Sequence, residues 1–225
     1  HIAKFLEELM YEIRRQQINY ANLKVTFVHE CFIYSVAYYL KKNANEALRY
    51  LLNKTYFAGT SHFNQDADSY NCFYCYNDVL DNAVCKRDDK NYYCGTAELW
   101  IENINVEICN KDDFVSGDLL CHSASLLISN YDKGWAWFPL TYVYNTDEYR
   151  GLFATYSKRL VSKEYLENML FIPDFESIDA FKKQYKSVEE KFHNGDLKEY
   201  RYNSCFETAK NFWNYMKTEE LGTRN

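Results

Sequence analysis

The densest apolar stretch of the chain covers residues 23–40, LKVTFVHECFIYSVAYYL, and from Cys31 onward it is apolar or aromatic at every helical angle except Ser35. A helix without a polar face either spans a membrane or sits at the centre of a globular core. Lys24, His29, Glu30, Lys41 and Lys42 confine the apolar part to about ten residues, well short of the roughly 20 that hydrocarbon requires. The pattern therefore predicts a central core helix and no membrane span. Upstream, Ile2, Phe5, Leu6, Leu9 and Ile13 recur at helical spacing while Lys4, Glu7, Glu8, Arg14 and Arg15 fall elsewhere, which predicts an amphipathic helix over about residues 2–20. Downstream, Asn43 or Asn45 is placed to cap a third helix on which Ala47, Leu48, Leu51 and Leu52 share a face, ending near Gly59.

Periodicity weakens over residues 59–113. Residues 78–86 suit one short helix, and the Cys- and Tyr-rich runs around them read as loop. Trp100, Ile104, Val106 and Ile108 alternate with Glu102, Asn103, Asn105 and Glu107, a strand-like pattern that also admits a helix followed by a strand. Helical patterning returns at Lys111, Asp112 and Asp113, an acidic start followed by Phe114, Val115, Leu119, Leu120, Ala124, Leu127 and Ile128. The aromatic run 135–144 contains Pro139, which cannot donate to a ladder, and is expected to be an extended edge segment. Helices are expected again over 146–160, 162–171, 177–192 and 204–217, with Ser162 and Ser177 as caps and Gly195 as a stop. The fold class this predicts is mainly α: a multi-helix bundle in a single domain of residues 1–225, with a small irregular or β-containing insert at 59–113.

Composition sharpens this picture in three places. Only 7 Gly and 2 Pro leave few helix breakers, which favours helices. Aromatics reach 18%, with 22 Tyr and 15 Phe; coding bias in an AT-rich genome accounts for this, as does an aromatic surface for a planar ligand or a partner. The formal charge of -6 disfavours a generic grip on nucleic-acid phosphates. Eight Cys in a chain of this size, without a signal-type segment, point to reduced thiols in a cytoplasmic protein. The first residue is His1 rather than Met, so a piece of a longer polypeptide is expected.

Candidate chemistry is sparse. Cys72 and Cys75 form a Cys-x-x-Cys knuckle that, with Cys85 and Cys94, or with His62 replacing one of them, offers a zinc ligand set. The second pair is too widely spaced to form a matching knuckle, and ordinary thiols are the simpler account; no other cofactor is expected. His29 and Glu30 begin a His-Glu-x-x-His pattern that fails at Ile33. Cys121 and His122 are adjacent and so point about 100° apart on a helix, a poor nucleophile and base for each other. His29, Glu30, Cys121 and His122 are nonetheless the candidates for an unfamiliar enzyme, provided they converge in a cleft. Trp135, Trp137 and Tyr142 could line a ligand pocket or simply fill the core, and Lys158 with Arg159 could meet a phosphate or belong to a solvated helix face. All seven glycines are isolated, so the chain has neither a phosphate-binding Gly-rich loop nor a Gly-x-Ser-x-Gly elbow. No His follows an Arg by four to six residues, as helical ribonucleases of that pattern require.

The order Asp118-Leu119-Leu120, Trp137-Phe138-Pro139, Thr141-Tyr142-Val143-Tyr144, Phe153, Ser157-Lys158-Arg159 and Ser177-Ile178-Asp179 resembles helical domains joined to effector domains, such as Toll/interleukin-receptor-like ones, in bacterial defence proteins. The resemblance covers about a third of the chain and carries over no catalytic residue. It implies an accessory sensing or assembly module with a protein partner or an appended domain, and with a small-molecule ligand as a further candidate.

Overall fold

The computed structural model describes residues 1–15, 21–57, 69–70, 92–128, 137–144, 159–170, 175–194 and 217–224. Helix α1 (Ile2–Arg15) turns Ala3, Leu6 and Met10 into the core, while Ile2 and Phe5, apolar by sequence, stand 38% and 56% exposed. Helix α2 (Ala21–Lys41) is the central helix that its all-round apolarity predicts, with Val28, Phe32, Ile33, Val36 and Ala37 fully closed from solvent. It ends in a turn where Asn43 takes φ 51° and the Ala44 amide donates to the Tyr39 carbonyl, a left-handed cap that Asn tolerates better than most residues. Asn43 thus closes α2 and does not cap the next helix. The N-cap of α3 (Asn45–Asn53) is Ala44, whose side chain has no oxygen to offer.

Two short strands, β1 (Tyr56–Phe57) and β2 (Ser69–Tyr70), pair antiparallel with Tyr56 opposite Tyr70. Tyr56 is buried, with its hydroxyl donating to the Leu51 carbonyl at 2.9 Å, and Lys54 lies over its ring while pairing with Glu7 of α1. Helix α4 (Tyr92–Glu102) buries Ala97, Trp100 and Ile101. The alternation that suggested a strand therefore belongs to a helix and the turn after it. Val106 is 74% exposed in that turn, so its alternation reflects no buried face.

Helix α5 (Lys111–Ile128) opens on a reciprocal cap: the Asp113 amide donates to Asn110 Oδ1 at 2.8 Å, and the Asn110 amide to Asp113 Oδ2 at 3.1 Å. It packs along α2 more extensively than any other pair of elements, and α1 and α3 also lean on α2. The close α2–α5 crossing is set by Gly117. A Cβ there would stand 3.0 Å from the Ala37 amide nitrogen and 3.1 Å from its Cβ. Two backbones cannot easily part, so Gly117→Ala is expected to destabilise the protein by about 1–3 kcal/mol, read as a lower urea midpoint with unchanged m-value.

Residues 140–144 form a one-turn helix, α6 (Leu140–Tyr144), and not the extended edge expected from Pro139. The fixed φ and missing N–H of proline suit the entrance of a helix as well as an edge, because donors there lack intrahelical partners in any case. Helix α7 (Lys163–Met169) is capped by Ser162 Oγ, which accepts from the Tyr165 amide at 3.3 Å. Helix α8 (Ile178–Asn194) is capped by Ser177 and buries Phe181, Tyr185, Val188 and Phe192 at helical spacing. A short 3₁₀ turn (Thr218–Glu220) leads through Leu221 into Gly222 and Arg224, whose amides donate to the Leu160 and Val161 carbonyls, while the Arg224 carbonyl accepts from the Lys163 amide. The described residues are mainly α-helical, and their buried apolar side chains form one contiguous core. Among them no helix is long and apolar enough to cross a membrane.

Candidate functional site

Asp118, His122 and Ser125 sit at i, i+4 and i+7 on one side of α5, and all three are fully buried. That side faces residues 137–141. Asp118 Oδ1 accepts from Trp137 Nε1 at 2.7 Å, and its Oδ2 accepts from the Thr141 amide at 2.9 Å and the Thr141 hydroxyl at 2.6 Å. His122 Nδ1 donates to the Trp137 carbonyl at 2.8 Å, which assigns the proton to Nδ1 because a carbonyl can only accept. Ser125 Oγ accepts from the Trp137 amide at 2.9 Å and donates to the His122 carbonyl at 2.8 Å. Trp137 is thereby held at its amide, carbonyl and indole at once. The Thr141 amide is one of the orphan donors at the start of α6, so Asp118 also supplies the acceptor that lets this short helix begin.

Burial governs the charges here. It pushes the Asp118 carboxyl up to about 6, with the bonds from Thr141 and Trp137 pulling the other way. It pushes His122 down to about 4 against the bond to the Trp137 carbonyl. On the far side of Trp137, the His29 ring stacks at 4.3 Å and 19°, and also stacks on Trp100 at 5.5 Å and 17°. Helices α2, α4 and α5 and the 137–141 segment therefore meet through one set of flat rings.

The sequence candidates fall into separate places. His29 and His122 flank Trp137 and are 0% exposed; Cys121 is also 0% exposed. Glu30 lies outside this cluster, on the partly exposed side of α2. Tyr142 is half-buried against the core and Arg159 half-buried near Tyr165. Trp135, Lys158, His62, Cys72, Cys75 and Cys85 and the side chain of Cys94 lie outside the described residues, as do the expected helix at 78–86, that at 146–160 but for its last two residues, and that at 204–217 but for Lys217. Among the described residues no group of three or more His, Cys, Asp or Glu could hold a metal ion. An open cavity of about 390 Å³ between α8 and the Thr218 turn, lined by Lys182, Lys186, Glu189 and His193, contains none of the candidates.

Sequence reasoning took Asp118 only as a structural mark and passed over Ser125 and Thr141 as bonded groups. The signal for the helix residues is the i, i+4, i+7 spacing of Asp118, His122 and Ser125 within a largely apolar helix; Thr141 carries no such signal.

A second feature lies on the outward face of α2. Phe27, Glu30, Cys31, Tyr34 and Tyr38 share that face; Phe27 is 53% and Tyr38 40% exposed, and the other three are half-buried. The turn after α4 runs beside them: the Asn105 amide donates to Tyr34 Oη at 3.1 Å, and Lys41 Nζ donates to the Ile108 carbonyl at 3.5 Å. Val106 and Ile108 extend the apolar surface at 74% and 38% exposure. Glu30 has no hydrogen bond or ion pair among the described residues, and burial alone pushes its carboxyl up to about 7. Burial likewise raises the thiols of Cys31 and Cys109 to about 11, with Glu30 adding to the first and Asp113 to the second, so both stay protonated at neutral pH.

No family model matches the chain, and neither does any curated protein or solved structure.

Proposed function

We propose that this chain is a non-catalytic helical module that acts in the cytoplasm by protein association or ligand sensing, as an accessory part of a larger bacterial defence protein. The observation that carries the reading is the outward face of α2. The central helix leaves Phe27 and Tyr38 in solvent, beside Val106 and Ile108, at a place where a fully covered core helix would have none. The buried histidines and Cys121 support the same reading, because groups with 0% exposure present no surface to a substrate.

In-cell photo-crosslinking tests this. A photoreactive residue replacing Tyr38 is expected to capture one discrete protein in the native host, whereas the same residue at Glu46, exposed on α3, captures none. Equal or absent crosslinking at both positions, or substrate turnover abolished by Cys121→Ser and His122→Gln in a folded protein, would overturn the proposal.

A further inference from the structure

We propose that the outward face of α2 docks a helical segment of a partner protein, whose Lys or Arg side chain, set among apolar neighbours, reaches the carboxylate of Glu30. This rests on the association reading above and names the chemistry of the partner.

The argument begins with Glu30. A carboxylate partly removed from water loses hydration, and proteins ordinarily return it through donors or a cation. Glu30 receives neither from the described residues. Of the lysines toward the C-terminal end of α2, Lys41 pairs with Asp113 at 3.5 Å and bonds the Ile108 carbonyl, and Lys42, just past the helix, lies over the Tyr38 ring at 5.9 Å; the side chain of Lys24 lies outside the described residues. Lys41 and Lys42 sit about three helical turns, roughly 16 Å or more, from Glu30 along α2. The neighbouring polar groups cannot substitute for a cation. Cys31 carries a protonated thiol, a weak donor, and Tyr34 Oη, which accepts from the Asn105 amide, makes no hydrogen bond to Glu30.

The surroundings select the rest of the partner. Phe27, Cys31, Tyr34 and Tyr38 recur over about three turns, the length along which a second helix presents its own i, i+4 and i+7 residues. Aromatic side chains around one charge that no described residue satisfies match the composition of an energetic centre in an interface. A nucleic acid is disfavoured because it would set phosphate against this carboxylate. A second copy of the chain meeting face to face on a two-fold axis beside Glu30 would bring Glu30 against Glu30. A cationic, amphipathic protein helix meets neither objection.

A displayed library of random amphipathic helices tests this with the chain intact. Selection on the wild-type protein, with counter-selection on a Phe27→Ser/Tyr38→Ser variant, is expected to yield helices enriched in Arg or Lys at one central position. Glu30→Gln should weaken those helices by about tenfold or more, and selection on Glu30→Gln should show no cationic enrichment. Glu30→Gln should also melt no lower than wild type, because the carboxylate bonds no described residue of the free protein. Face-dependent binders without cationic enrichment would overturn this inference and leave the association reading standing. A library with no face-dependent binder would overturn both. A marked fall in melting temperature for Glu30→Gln would assign Glu30 a structural role and overturn the inference alone.

Discussion

Asp118→Ala is expected to destabilise the protein by about 3–5 kcal/mol, the largest loss for any single polar substitution in the core. The substitution removes one acceptor group and strands three donors: the indole N–H of Trp137 and the amide and hydroxyl of Thr141, all in residues with no solvent exposure. None can turn to water without opening the α5–α6 contact. Asp118→Asn retains one carbonyl oxygen but aims an NH₂ group at donors, and should cost about 1–3 kcal/mol. Urea unfolding followed by far-UV circular dichroism measures both. Near-UV ellipticity from the stacked tryptophans should fall further in Asp118→Ala than the loss of helix explains, because Trp137 stacks on His29 and is held in place by Asp118. An Asp118→Ala protein as stable as wild type would show that the clamp is dispensable.

The second large effect is a pair of opposed pH dependences that nearly cancel in the native protein. The folded Asp118 carboxyl lies at about 6 against a model value of 3.8. Between those values the folded state binds more protons than the unfolded one, so this group adds stability as pH falls from 6 toward 4. The folded His122 lies at about 4 against a model value of 6.5. Here the unfolded state binds more protons, so stability is lost as pH falls from 6.5 toward 4. Each amounts to roughly 3 kcal/mol at about 1.4 kcal/mol per unit of pKa difference, with opposite sign. The groups facing this pair are His29 beyond Trp137, Phe192 from α8, and Ser125 and Thr141; no described lysine or arginine bonds Asp118. Relative to wild type at each pH, His122→Gln should therefore gain stability on going from pH 6.5 to 4, and Asp118→Asn should lose it. Differences between variants isolate each group from Glu30, which titrates nearby in pH. Parallel curves for the three proteins would refute the opposed pair.

What was legible in the sequence followed physical periodicity. Helices α1, α2, α3, α5, α7 and α8 announced themselves through apolar spacing, and Ser162 and Ser177 through capping hydroxyls that the structure places on the Tyr165 and Ala180 amides. The errors came where one residue supports two geometries. Pro139 suits an edge strand or a helix entrance, and what decides is Asp118, more than twenty residues earlier, accepting from Thr141. Residues 100–108 alternate without forming a strand because the first part completes α4 and the second is a turn whose Val106 faces water. Asn43 was read for its side chain and is used for its φ. The candidate site was legible only in pieces. His29 and His122 stand out in the sequence, where Trp137 admits either a pocket or the core; its full burial decides for the core, and its stacking on His29 is a property of tertiary packing that no spacing reveals. The cysteine pattern at 72, 75 and 85 lies outside the described residues.

The contact between Gly117 and Ala37 has a consequence for how this sequence can drift. Two small residues meet where two central helices touch, one without a Cβ and the other with the smallest. Neither position is free alone: a methyl gained at 117 asks for one lost at 37. Relatives of this chain should show that exchange as paired substitution, with alanine or serine at the first position accompanied by glycine at the second. Asp118 is the next residue along α5, so a lineage that widened this crossing without the exchange would also shift the carboxylate on which Trp137 and Thr141 depend.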